Sequence, residues 1–101
     1  MNKIISKNKE QLDSIFKNHS LKRVYLFGSS LNSNFNKKSD IDLLLNFEDN
    51  LDDLKRGELI WSLYDQLKTL FNREVDLVNE KYLKNPYLIK EINSSKELIY
   101  G

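Results

Sequence analysis

Ile41-Asp42-Leu43-Leu44-Leu45-Asn46-Phe47 is an apolar run of strand length. Such a run marks a central strand, buried on both faces and therefore covered from two sides. Its neighbours must supply that cover. Residues 6–19 read as a helix, with Leu12, Ile15, Phe16 and His19 on one face at spacings of three and four. Lys22 to Phe27 reads as a strand and Gly28 stops it. Residues 29–39 are polar and irregular, opening with a helical turn or two. Asp49, Asn50, Asp52 and Asp53 suit a helix start, where carboxylates meet the positive end of the dipole. That helix runs to about Phe71, with a stripe of Leu54, Ile60, Leu63, Tyr64, Leu67, Leu70 and Phe71. Arg73 to Asn79 alternates as a third strand, Val75 and Leu77 on one side, Glu74, Asp76 and Val78 on the other. Asn85-Pro86 is an N-cap followed by proline at the first helical position, opening a helix over 86–94 with Leu88, Ile89 and Ile92 inward. Leu98 to Tyr100 adds a short terminal strand. The order predicts an α/β (α+β) fold, a small mixed β-sheet with flanking helices.

At 101 residues this is a single domain, 1–101. Sixteen Lys and Arg face fifteen Asp and Glu, so the large basic excess of a nonspecific nucleic-acid binder is missing. There is no cysteine and one histidine, His19, which excludes thiolate nucleophiles, disulfides and histidine-cluster metal sites. A metal here needs oxygen ligands, hence Mg²⁺, Mn²⁺ or Ca²⁺. No apolar stretch approaches the roughly 18–20 residues of a membrane span. Met1 to Glu10, with only Ile4 and Ile5 apolar, lacks a secretory core. A cytoplasmic protein is the expectation.

The chemistry concentrates in Gly28-Ser29, ten further residues, then Asp40-Ile41-Asp42. Two acids two apart in a strand leave the same face, about 6.5–7 Å apart along the backbone. Ionising both in a partly buried place is costly without a cation between them, and a divalent ion removes that cost. Asp76, an acid inside the apolar run of the next strand, is the natural third member. Glycine at a strand end lets a phosphate approach the backbone, and the Ser29 hydroxyl adds a donor.

This segment resembles the Gly-Ser-x10-Asp-x-Asp signature of the nucleotidyltransferase superfamily shared with DNA polymerase β. The short chain is similar to the minimal nucleotidyltransferases (the MNT group), many of them the antitoxin half of HEPN/MNT toxin–antitoxin pairs. The resemblance implies the polymerase β-like nucleotidyltransferase fold and transfer of a nucleoside monophosphate, most often AMP from ATP. It implies that Gly28 and Ser29 hold the nucleotide phosphates and that Asp40, Asp42 and Asp76 are catalytic metal ligands for two Mg²⁺, or Mn²⁺. Asp76 would also be a base for the acceptor hydroxyl. Some antitoxin members place the nucleotide on a tyrosine of the toxin, so a HEPN-type toxin is the implied partner. A second copy of the chain is an alternative way to complete the cleft. One departure stands out. Many relatives carry a basic, glycine-containing run after Gly-Ser, whereas this chain has Ser30-Leu31-Asn32-Ser33-Asn34. Neutralising the phosphates then falls to Lys37 and Lys38, or to the partner. Two rival readings stay open: an antitoxin that neutralises by binding alone, and a nucleotidyltransferase acting on a small molecule such as an antibiotic.

Other residues read more plainly. Trp61 could stack on a base, but its place within the long helix favours a core or partner contact. His19 reads as a helix cap or surface group, Tyr100 as packing, and Glu74 and Glu80 as exposed.

Overall fold

The computed structural model of the chain describes residues 2–31 and 39–101. Four strands form one sheet: β1 (Leu21–Phe27), β2 (Ile41–Phe47), β3 (Val75–Asn79) and β4 (Glu97–Tyr100). Their spatial order is β3-β2-β1-β4. β1 runs antiparallel to β2 and to β4, whereas β2 and β3 are parallel. A parallel pair needs a crossover, and α3 (Asp53–Phe71) supplies it. The remaining helices are α1 (Lys3–Lys7), α2 (Lys9–Asn18) and α4 (Pro86–Ser95).

Strand alternation divides the sheet's two faces. Val24 and Leu26 of β1, with Ile41, Leu43, Leu45 and Phe47 of β2, join Ile5, Leu12 and Phe16 and the α3 residues Leu63, Leu67 and Phe71 in the main core. Asp42, Leu44 and Asn46 take the opposite face. Leu44 is also fully buried, as a strand covered on both sides requires, and Ile92 of α4 is buried too. Phe27, Leu31, Leu88 and Ile92 line one cavity, which places α4 beside the end of β1.

Several expectations change. The first helix is two helices broken at Asn8, whose side-chain amide donates to the Ile4 carbonyl at 2.8 Å. Asn2 caps the extra segment through the Ile4 N–H, and Ile5 is fully buried. Leu54 is not part of the buried stripe: it is 76% exposed, because it lies in the first turn of α3. Leu88 is 39% exposed rather than inward, and Ile92 carries the burial of α4. His19 is not a surface group. It caps α2 from a buried position, its Nδ1 2.7 Å from the Ile15 carbonyl and its Nε2 2.9 Å from Ser62 Oγ. A carbonyl only accepts, so Nδ1 carries a proton. Glu80 is half-buried, with Oε2 enclosed and unpaired. Tyr100 packs as expected, its ring 5.4 Å from that of Phe16.

Candidate active site

The parallel pairing of β2 with β3 opens with the Ile41 N–H donating to the Glu74 carbonyl at 3.1 Å. One residue later, Asp42 and Asp76 are register partners. Parallel partners share a face, so these two acids stand side by side on adjacent strands about 4.8 Å apart. Their sequence separation hides this; the crossover creates it. Asp40 immediately precedes β2 and shares the parity of Asp42, two residues upstream. Asp42 is half-buried, while Asp40 and Asp76 are exposed.

The end of β1 meets the same place. Phe27 is the register partner of Asp42. Gly28 follows with φ +70°, in the left-handed region, and opens a 3-10 turn over Gly28–Leu31 that contains Ser29. A Cβ at Gly28 would run into Asp42 Oδ2 and lie 3.1 Å from its Cγ. Glycine is therefore required twice, by conformation and by the carboxylate lying against its backbone. The helical turn expected after Gly28 is present as this single 3-10 turn. Lys37 and Lys38 lie outside the described residues.

Arg73, at the predicted start of the third strand, does more than open it. Its Nη1 donates to the Ser39 carbonyl at 3.0 Å, tying the entry to β3 to the residue before Asp40. The readable signal was a lone cation directly before an acid-bearing strand. Glu74, beside it, is bound by Lys68 at 2.7 Å and by the Tyr64 hydroxyl at 2.7 Å. The Lys68 ammonium, then the Tyr64 hydroxyl, holds its carboxyl below the usual range. Glu74 is thus occupied and exposed, and is separate from the acidic face. At the far end of the sheet, Asp53 accepts from the Tyr82 hydroxyl at 2.5 Å and pairs with the buried Arg56 guanidinium. The Tyr82 bond, then Arg56, pulls the Asp53 carboxyl down. This second cluster anchors the start of α3.

A divalent cation suits the donors. All are carboxylate oxygens, set on one face at adjacent registers, next to a backbone turn that a phosphate can approach. Among the described residues, no three acidic or histidine groups are gathered tightly enough to enclose a metal as placed. Asp40 and Asp42 each already engage a polar interaction.

The family described as polymerase beta, nucleotidyltransferase, matches residues 10–101. The chain belongs to that family. This nucleotidyltransferase is 37% identical over 97 residues to a protein of Methanocaldococcus jannaschii provisionally named a protein adenylyltransferase, covering 96% of this chain and 90% of the relative. A chain from a toxin–antitoxin structure with AMP-PNP matches at TM-score 0.71 and 25% identity, covering 93% of this nucleotidyltransferase and 73% of that chain. A structure provisionally called a minimal nucleotidyltransferase matches at TM-score 0.68 and 28% identity, covering 92% and 90%. The mixed sheet with flanking helices is thus the polymerase β-like nucleotidyltransferase fold. Among the described residues, no helix is long and apolar enough to cross a membrane.

Proposed function

We propose that this nucleotidyltransferase moves AMP from ATP to a hydroxyl of a partner protein, a tyrosine of a HEPN-type toxin, and thereby acts as an antitoxin. The observation that carries the reading is the register pairing of Asp42 with Asp76 beside the Gly28 turn. The M. jannaschii relative's name supports adenylyl transfer to protein, and the toxin–antitoxin structure with AMP-PNP supports the nucleotide and the kind of partner. In this reading Gly28 and Ser29 cradle the β- and γ-phosphates, with Lys37 and Lys38 adding positive charge. Asp40, Asp42 and Asp76 hold Mg²⁺. When bound, the ion neutralises phosphate charge and lowers the pKa of the attacking hydroxyl. Asp76, exposed on β3, takes the hydroxyl proton. The acceptor oxygen forms a bond to the α-phosphorus, the bond from that phosphorus to the bridging oxygen breaks, and pyrophosphate leaves. The single sheet offers one wall of a cleft, and a partner chain supplies the other. The compartment is the cytoplasm, where ATP and such a partner meet.

Neutralisation by binding alone is the second reading, favoured by the uncharged Ser30-Leu31-Asn32-Ser33-Asn34 run after Gly28-Ser29. Intact-mass measurement of the co-purified partner after addition of Mg²⁺ and ATP separates the two. The expected result is a gain of one or more AMP units, lost in the Asp40→Asn/Asp42→Asn variant. A stable complex with no mass gain would overturn transfer and leave occlusion.

A further inference from the structure

We propose that Lys96 binds the terminal phosphates of the nucleotide, across the Gly28 turn from the metal-holding acids. Placing those phosphates at Gly28 rests on the transfer reading above. Sheet register supplies the geometry. β4 pairs with β1 through Leu98 with Tyr25 and Glu97 with Leu26. One step further along that ladder, Lys96 stands level with Phe27. Phe27 pairs with Asp42, and Asp42 with Asp76. Lys96, Phe27, Asp42 and Asp76 therefore make one row across the four strands. Neighbouring strands are about 4.8 Å apart, so the Lys96 and Asp42 backbones are separated by about 9–10 Å. Gly28 follows Phe27, and its turn lies between the two. A phosphate held by that turn has acids and metal on one flank and Lys96 on the other.

The ammonium stands over the same face as the acids. Val24 and Leu26 enter the main core, so Tyr25 and Phe27 take the face of Asp42. Lys96 Nζ lies 4.2 Å from the centre of the Tyr25 ring. Its backbone is fixed too: the Lys96 N–H donates to the Ile92 carbonyl at 2.8 Å, closing α4 just before β4 begins. Lys68 and Lys81 also lie over tyrosine rings, those of Tyr64 and Tyr82, but each is paired with a carboxylate, Glu74 and Asp53. Among the described residues, no carboxylate is paired with Lys96. The ring thus holds a cation without neutralising it. The surroundings need that charge. The Ser30-Leu31-Asn32-Ser33-Asn34 run is uncharged, Glu91 lines the cavity beside Gly28, and the Asp42 carboxylate lies against the turn. A lysine meets phosphate as a compact charge on a flexible stem, so it can follow the leaving pyrophosphate. A cation at a helix C-terminus is also favourable by itself. That structural role predicts no dependence on how many phosphates a ligand carries.

Calorimetric titration of the whole chain, in Mg²⁺, with AMP-PNP, pyrophosphate and AMP separates the two roles. Lys96→Met removes the charge and Lys96→Arg keeps it. Lys96→Met should weaken AMP-PNP and pyrophosphate about tenfold or more and AMP by less than about twofold, and Lys96→Arg should restore most of the loss. A second readout needs no substitution, so it serves even where Lys96→Met folds poorly: AMP-PNP, but not AMP, should shield Lys96 of the wild-type chain from acetylation, read by peptide mass. Equal weakening of AMP and AMP-PNP, or acetylation of Lys96 that AMP-PNP leaves unchanged, overturns the proposal and reduces Lys96 to a helix-end cation. AMP-PNP affinity unaltered in Lys96→Met overturns it too, and leaves the transfer reading standing. Lys96-dependent AMP-PNP binding with no AMP gained by the partner under any condition would sink the transfer reading and leave the phosphate assignment in place. A wild-type chain that binds neither AMP-PNP nor pyrophosphate overturns both.

Discussion

Replacing Gly28 by alanine tests how closely the turn and the acid are joined. Two separate costs are visible. Gly28 has φ +70°, where an L-residue is disfavoured by about 1–2 kcal/mol. The added methyl also overlaps Asp42 Oδ2 and crowds Cγ at 3.1 Å, a local overpacking of about 1–3 kcal/mol unless the carboxylate swings away. Gly28→Ala should thus lose about 2–5 kcal/mol, a large share of the total for a domain of this size. In an Asp42→Ala background only the backbone cost remains, because the Asp42 Cβ sits at an ordinary 3.5 Å from the new methyl. Urea denaturation of wild type, the two single variants and the double variant closes the cycle. The expected coupling is about 1–3 kcal/mol, with the double variant less destabilised than the sum of the singles. Additive losses would show that Asp42 does not lie against Gly28, and the turn would then have no structural claim on the acid. If Asp42 partly escapes by rotating, the coupling falls to its lower bound of about 1 kcal/mol.

The remaining expectations are simpler. Asp76→Asn relieves repulsion with its register partner, so thermal melting in EDTA places it no lower than wild type, while added Mg²⁺ raises wild type more than the variant; equal gains would remove Asp76 from the metal site. Glu74 has a folded pKa depressed below its ordinary 4.5, so it contributes stability that is present above pH 4.5 and lost as pH falls through the lower folded value. Melts at descending pH should therefore show the gap between wild type and Glu74→Gln closing below that point, and a constant gap would refute the linkage. His19→Ala empties a buried site and removes the ring's hydrogen bond to the Ile15 carbonyl, which should cost about 2–4 kcal/mol in urea denaturation; a loss under 1 kcal/mol would mean water replaces the ring.

Much of this molecule was legible in its sequence because the strongest signals were local. The Ile41–Phe47 run is a strand buried on both faces, and Asn85-Pro86 starts α4 as its chemistry dictates. The break at Asn8 was invisible because periodicity continues across it; only the Asn8 amide bonding back to Ile4 marks the stop. Ile5 completes the core, a tertiary fact that its neighbours in the sequence do not announce. Leu54 fits a helical stripe by spacing but lies in the first turn of α3, where the stripe has no sheet beneath it. Placing Asp42 opposite Asp76 depended on register, which spacing alone does not supply, and the Arg73–Ser39 bond depended on two segments meeting across 34 positions. Trp61 was readable as a core or partner contact. Its exposure removes the core alternative.

The mixed pairing of the sheet gives the site two different lifetimes. Gly28 and Asp42 belong to the antiparallel β1–β2 ladder, the most extensively paired part of the sheet. Asp76 arrives on an edge strand held to the rest by five register pairs and by the helix that delivers it. Edge elements open locally at lower free energy than central ones. Amide exchange should therefore be faster along β3 than along β1, and a chain caught in that opening keeps its turn and its first two acids while lacking the third. A protein that clasps β3 from outside would close this opening, so an acceptor bound at that edge would help to complete the centre that modifies it.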